Sequence, residues 1–237
     1  MLRRDLDTAE RHAIVARLVG SARDVLDVGG LPGRLGGALP GAEVTTVNVG
    51  PPADVLFDGD RLPFTDRAFE VVTSLDVLEH LDPAARSGHL SEVVRVAARR
   101  AVLCCPLGTP EHVAAERALA EWYAEVGGER DPFLDDHVAK GLPTEHELRR
   151  LLAGAGGEAA GVLSFHGDFR VAGDLFRLRA LAHFRRRPAD RLRYAWRRLT
   201  VRRDESLGSI AGPHVNRAFL VLDRAGGAAG GAEAASG

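Results

Sequence analysis

The sequence predicts an α/β protein: a doubly wound, mostly parallel sheet of about seven strands in three layers, with a helical insertion before the last strand. Three observations predict it. Short β-rich runs alternate with stretches of helical periodicity up to residue 106, the rhythm of a parallel sheet flanked by helices. The first strand, 23–28, stops at a glycine-rich turn, the Rossmann-like beginning of many α/β chains. Hydrophobic residues make up 45% of the 237, enough for a core that needs no disulfide or metal.

The elements follow in order. Leu6, Ala9, Ala13, Ile14, Leu18 and Val19 recur at helical spacing before Gly20, which predicts a lead-in helix. After the first strand, 33–39 reads as a short helix start and 42–49 as a second strand. Residues 54–57 and 69–74 read as the third and fourth strands, the latter continuously apolar. Residues 83–98 are helical, with Leu90, Val93, Val94 and Ala97 on one face, and 101–105 is a fifth strand closed by Pro106. Beyond it, 110–126 is a helix, 127–141 a polar loop, and Thr144 with Glu147 caps another helix. Residues 162–165 and 218–222 are the last two strands. Between them, 183–203 holds nine arginines and one acid, with Phe184, Leu192, Tyr194, Trp196 and Leu199 interleaved. Residues 225–237 contain only Gly, Ala, Ser and Glu, which predicts a disordered tail after one domain spanning 1–224.

Composition narrows the partners. The net charge is −2, so nothing global points to nucleic acid or anionic lipid, and neither a nucleic-acid nor a membrane partner is expected. Lys140 is the only lysine. Cys104 and Cys105 are adjacent in a strand and point to opposite faces, which disfavours a disulfide between them and fits a reducing, cytoplasmic setting. No signal core and no stretch of about 18 apolar residues is present. Oligomeric state is open, a homodimer included.

Four segments carry chemistry. In the first, Asp27 ends a strand, and Gly29 and Gly33 allow a tight turn where a ligand can approach bare backbone; a plain strand–turn–helix reads the same way. In the second, Asn48 ends the second strand about twenty residues on, where dinucleotide-type folds place an acid for ribose hydroxyls. An amide can donate and accept there without a carboxylate's charge, or simply end the strand in a turn. In the third, Asp58 and Gly59 precede Leu62-Pro63-Phe64; a carboxylate there can take an exocyclic amine, and a solvated acidic turn is the bland alternative. In the fourth, 71–81, a buried strand runs through Ser74 and Leu75 into Asp76, Glu79 and His80, at the strand end where open α/β sheets hold ligands.

Taken together, Val25-Leu26-Asp27-Val28-Gly29, Asp58 ahead of Leu62-Pro63-Phe64, Phe69-Glu70-Val71-Val72 and Asp76-Val77-Leu78-Glu79-His80-Leu81 resemble the class I S-adenosylmethionine-dependent methyltransferases, in their small-molecule branch. The resemblance covers about residues 20–106 and is weaker beyond. It implies S-adenosyl-L-methionine as cofactor. It places Asp27, Gly29 and Gly33 on the methionine-holding motif, Asn48 on the ribose position, Asp58 and Gly59 on the adenine pair, and Ser74 and Leu75 where backbone lines the pocket. It also implies a cofactor half at 20–106 and an acceptor half at 107–216 with an arginine-rich insertion at 170–210. Leu31 stands where the family has a further glycine, and Asn48 where it has an acid. A relative that keeps the fold without methylating is the competing reading.

Methyl transfer to a hydroxyl needs alignment and a base tuned near neutral pH. His80 is the expected base, oriented by Glu79 or Asp76, with His112, His137 and His166 as alternatives. The Asp-x-x-Glu-His spacing is similar to the metal-holding trio of ubiquinone-type O-methyltransferases, but the same residues occur in metal-independent relatives, and no metal is expected. Trp122, Tyr123, Phe133, Phe165 and Phe169 are candidates to line an acceptor pocket. The arginine-rich helix reads as a solvated helix over the sheet, a lid for an anionic acceptor, or a patch for RNA or membrane. The expected reaction is O-methylation of a small molecule, a bacterial secondary metabolite or sugar, with N- and C-methylation open.

Overall fold

A computed structural model describes residues 6–155, 159–201 and 210–224. Seven strands form one sheet: β1 (Asp24–Val28), β2 (Glu43–Asn48), β3 (Val55–Leu56), β4 (Phe69–Leu75), β5 (Ala97–Pro106), β6 (Ala159–Asp168) and β7 (Val215–Arg224). Their order is β3-β2-β1-β4-β5-β7-β6. β1 to β5 pair in parallel, and β7 runs antiparallel to both β5 and β6. This is the doubly wound sheet that the strand rhythm predicts. The order reverses at β1, which lies between β2 and β4 with Asp27 opposite Thr46 on one side and Thr73 on the other. Such a switch point opens a crevice at the carboxyl ends of the strands.

Alternation along the strands feeds two cores. On one face Leu26, Val72, Leu103 and Leu220 pack with Leu90 and Val93 of α2 (Arg86–Val96) and Leu148 of α5 (Glu145–Ala155). On the other, Val25, Val71, Val102 and Cys104 pack with Ile14, Val15 and Val19 of α1 (Leu6–Val19). Cys104 and Cys105 are both buried as free thiols, held far from ionisation by desolvation. The remaining helices, α3 (Pro110–Gly127), α4 (Pro132–Lys140), α6 (Phe169–Phe184) and α7 (Pro188–Thr200), all follow β5 in the chain. Leu119, Ala120 and Leu134 form a small core of their own there, with Trp122, Tyr123 and Phe176 against it. Side-chain caps start three of these helices: Thr109 accepts from the His112 amide, Asp131 from Phe133 and Leu134, and Asp168 from Arg170.

The structure corrects three expectations. The helix start at 33–39 is only a 3₁₀ turn, Gly36–Ala38. Pro32 and Gly33, Gly36 and Gly37 crowd this stretch, and each glycine costs about 1 kcal/mol against alanine in a helix. The polar loop 127–141 contains α4, nucleated by the Asp131-Pro132 cap. The helix assigned to 183–203 is the end of α6, a break at Arg185–Arg187, and α7, begun by Pro188. The tail 225–237 lies outside the described residues.

Candidate active site

A cavity of about 600 Å³ opens at the carboxyl ends of β1 and β4. Asp27, Gly29, Gly30 and Leu31 wall it on the β1 side, and Leu75, Asp76, Glu79 and His80 on the β4 side. Helix α1 adds Arg11 and His12; α3, α4 and α6 close the outer side with His112, Glu116, Phe133, His137 and Phe169.

The turn after β1 is built around Asp27. Its Oδ1 accepts the Thr73 hydroxyl at 2.8 Å, and burial pushes its carboxyl up to about 6, against that hydrogen bond and the nearby Arg11 charge. Gly29 has φ +78°, which a side chain would strain, and a Cβ there would also meet Val77 Cγ2 at 2.5 Å. Gly30 is needed for another reason: a Cβ on it would lie 2.0 Å from Asp27 Oδ2. Sequence reading named Gly29 and Gly33 and passed over Gly30; the glycine-pair signal was visible, but which one faces the carboxylate was not. Gly33, at φ +73°, shapes the turn without lining the cavity.

Asn48 braces this turn. Its Nδ2 donates to the Gly29 carbonyl at 3.1 Å and the Gly30 carbonyl at 3.4 Å, and its Oδ1 accepts the Val49 amide at 2.8 Å. An asparagine therefore does here what an acid could not, because a carboxylate has no hydrogen to give two carbonyls. Asn48→Asp restores the residue type of the resemblance and should nevertheless lower stability by about 1–3 kcal/mol, read from urea denaturation. A variant as stable as wild type would contradict the bracing role.

Asp58 and Gly59 do not line the cavity; Asp58 Oδ1 accepts the Asp60 amide at 3.1 Å, and Gly59 sits beside Val49 with φ +99°. Leu75 lines it, whereas the Ser74 hydroxyl turns to His89 Nε2 at 2.8 Å. Burial drives His89 down to about 4, so it is neutral there.

Around His80 the structure brings in a carboxylate that the sequence does not single out. Asp76, at φ +54°, pairs with Arg11 of α1 and Arg217 of β7, so its carboxylate ties the lead-in helix to the last strand. The carboxylate that meets His80 is Asp136 of α4, whose Oδ2 lies 3.3 Å from Nδ1. A carboxylate only accepts, so Nδ1 carries the hydrogen and Nε2 is the basic nitrogen. Desolvation and the neighbouring His137 lower the His80 pKa below 6.5, with Asp136 opposing them. The His80 carbonyl accepts from Lys140 Nζ at 2.6 Å, which pins the loop. Glu79 is 1% exposed and its Oε2 has no hydrogen-bond partner. Burial, and then the Asp76 charge, push its carboxyl up to about 8, so it holds its proton at neutral pH.

His137 stands beside them, its ring 4.9 Å from that of His80. Its Nδ1 meets Glu116 Oε2 at 2.8 Å. Burial opposes its cation, but Glu116 prevails and the pKa is raised. Among the described residues, Glu79, His80 and His137 offer ligand atoms within 4.8 Å of one another, a set that could hold a metal ion. His112 stacks on Phe169 with ring centroids 4.5 Å apart and gives Nδ1 to the Leu107 carbonyl at 2.9 Å. His166 is outside the cavity, edge-on to Phe219. Of the aromatic candidates Phe133 and Phe169 line the cavity, joined by Phe176; Trp122 and Tyr123 pack within the helical cluster and Phe165 against the sheet core. Of the arginines at the cavity, Arg170, Arg177 and Arg179 come from α6, the others are Arg11, Arg34 and Arg217, and none comes from 183–203.

Comparison with known proteins fits this arrangement. Residues 26–105, from inside β1 to near the end of β5, match a family model described as a methyltransferase domain. This stretch is similar to methyltransferase domains. Solved methyltransferases share the fold across nearly the whole chain. One is a SAM-dependent methyltransferase from Archaeoglobus fulgidus, 14% identical over 94% of this chain and 95% of that one, with a TM-score of 0.54. Another is magnesium protoporphyrin IX methyltransferase from Synechocystis PCC 6803, solved with bound SAH: 15% identity, 92% and 84% coverage, TM-score 0.51. A third is phosphoethanolamine N-methyltransferase 2 from Haemonchus contortus in complex with S-adenosyl-L-methionine: 14% identity, 91% and 52% coverage, TM-score 0.55. No curated protein matches the chain. The matched stretch contains the glycine turn, Asn48 and the Asp76–His80 segment, while α3 to α7 lie outside it.

Proposed function

We propose that the protein transfers a methyl group from S-adenosyl-L-methionine to an oxygen of a small molecule, a bacterial natural product or sugar. The observation that carries this reading is one cavity shared by a glycine turn with a buried carboxylate and by a histidine with a free basic nitrogen. The turn fits the cofactor's amino-acid end. Asp27 is 3% exposed, and the cofactor's ammonium would offset the desolvation that raises its pKa. Gly29 and Gly30 keep side chains out of the approach. Bound there, S-adenosyl-L-methionine supplies an electrophilic methyl carbon.

The chain's own residues do the rest. Phe133, Phe169 and Phe176 give the acceptor an apolar wall and exclude water. His80 Nε2 takes the acceptor's proton, and Asp136 on Nδ1 holds the ring and stabilises the cation that forms. Glu79 beside it stays protonated and adds no competing negative charge. Leu75, Asn48, Asp58, Gly59 and Ser74 remain candidates for the adenosine side, with Asn48 acting through the turn it braces. That engagement of the Asn48 amide favours a second reading, a fold that binds a ligand without methylating.

Incubation of the purified protein with trideuteromethyl cofactor and panels of phenols, sugars and amines tests the reaction by mass spectrometry. Labelled phenol or sugar ethers are expected; label only on amines would overturn the oxygen assignment. His80→Ala should lower turnover about 10²–10⁴-fold while leaving S-adenosylhomocysteine affinity nearly intact. Turnover equal to wild type would remove His80 as the base.

A further inference from the structure

Helix α7 carries a surface that the cavity does not use. Leu192, Trp196 and Leu199 are 69%, 70% and 81% exposed. At 3.6 residues per turn these positions fall on one face, so they form a continuous apolar stripe rather than scattered exposures. Arginines flank it. Arg191 and Arg193 stand about 100° to either side of Leu192 and are exposed, and Arg197 and Arg198 lie further round the same helix. Arg185, Arg186 and Arg187 lead into it. The only acid among them, Asp190, is 5% exposed; its Oδ1 lies 4.0 Å from Arg193 Nη1, which leaves the other flanking arginines without an acid from this helix. The chain as a whole has a net charge of −2, so the cationic character is local to this helix.

We propose that α7 is an interfacial helix that seats the protein on an anionic lipid surface. Leu192, Trp196 and Leu199 enter the boundary between headgroups and acyl chains, while the flanking arginines extend their stems alongside and meet phosphates. The pattern selects this occupant over the others. A second copy of the chain would set arginine flank against arginine flank. A nucleic acid would satisfy the arginines and leave two leucines in water. An anionic bilayer satisfies both. No described helix is long and apolar enough to cross a membrane, so the attachment is peripheral. The proposed attachment departs from the expectation of no membrane partner, which rests on global charge and so does not register a segregated helix.

Trp196 reports its own environment. The chain has two tryptophans, so Trp122→Phe leaves Trp196 as the sole emitter. Titration with phosphatidylcholine vesicles containing phosphatidylglycerol should shift its emission to the blue; pure phosphatidylcholine should do so far less. Arg191→Gln with Arg193→Gln should weaken binding about thirtyfold at low salt. Leu192→Ser with Leu199→Ser should abolish the shift. Co-sedimentation of the unsubstituted protein with the same vesicles repeats the test should Trp122→Phe fail to fold. S-adenosylhomocysteine calorimetry on the stripe variants should match wild type, which separates this surface from the cavity. Absence of co-sedimentation with anionic vesicles would overturn the proposal. So would retention by the stripe variants, displacement from vesicles by equimolar single-stranded RNA, or a dimer that buries Trp196 without lipid.

Discussion

Arg86→Met should cost about 3–5 kcal/mol of stability. Arg86 is 1% exposed, the largest fully buried side chain among the described residues. Its Nε donates to the Leu78 carbonyl at 2.9 Å and the Leu81 carbonyl at 3.3 Å. Its Nη1 lies 3.0 Å from both Glu147 oxygens, and its Nη2 serves the Lys140 and Gly141 carbonyls. One guanidinium thus joins the Leu78–His80 turn, the end of α4 and the start of α5. Methionine fills the stem's volume and leaves those carbonyls and Glu147 without their donor. Lysine should rescue little, since a point charge cannot fork to three elements. Urea denaturation of Arg86→Met and Arg86→Lys reads the effect; a loss below about 1 kcal/mol would mean that the bridge is not what holds α4 and α5 to the Leu78–His80 turn.

Gly30→Ala is the second large effect, and it falls on binding. The added Cβ would come within 2.0 Å of Asp27 Oδ2, so the carboxylate must turn away and give up the Thr73 hydroxyl. An ammonium bound at Asp27 then loses a charge-assisted partner, on the order of 1.5–3 kcal/mol, or about tenfold to 150-fold in affinity. Gly30 has no positive φ, so the substitution acts through Asp27 rather than through backbone strain.

Most of the sheet was legible because its strands are dense Val, Leu and Ile runs bounded by Gly and Pro, as at Val25–Val28 and Val71–Val72. The missing helix after β1 was not, because Leu35 and Leu39 mimic helical spacing while the glycines between them decide the outcome. The Asp76–His80 segment was visible as a cluster of ionisable groups at a strand end. Its partners were not: Asp136 lies 56 residues from His80, and Arg217 lies 141 from Asp76, so only the fold brings them together. Arg86 was passed over because an arginine early in a helix ordinarily faces water. Asn48 reads from the sequence either as an amide at the ribose position or as a strand end, and only the fold shows its amide donating to the Gly29 and Gly30 carbonyls.

In the proposed function the Asp27–Gly30 turn holds an S-adenosyl ligand, and calorimetric titration of the wild-type protein with S-adenosylhomocysteine, beside Gly30→Ala, measures that directly. Saturable binding of one ligand per chain is expected, weakened at least about tenfold by Gly30→Ala with the fold intact. No binding by the wild-type protein at millimolar ligand, or equal binding by both proteins, would contradict it.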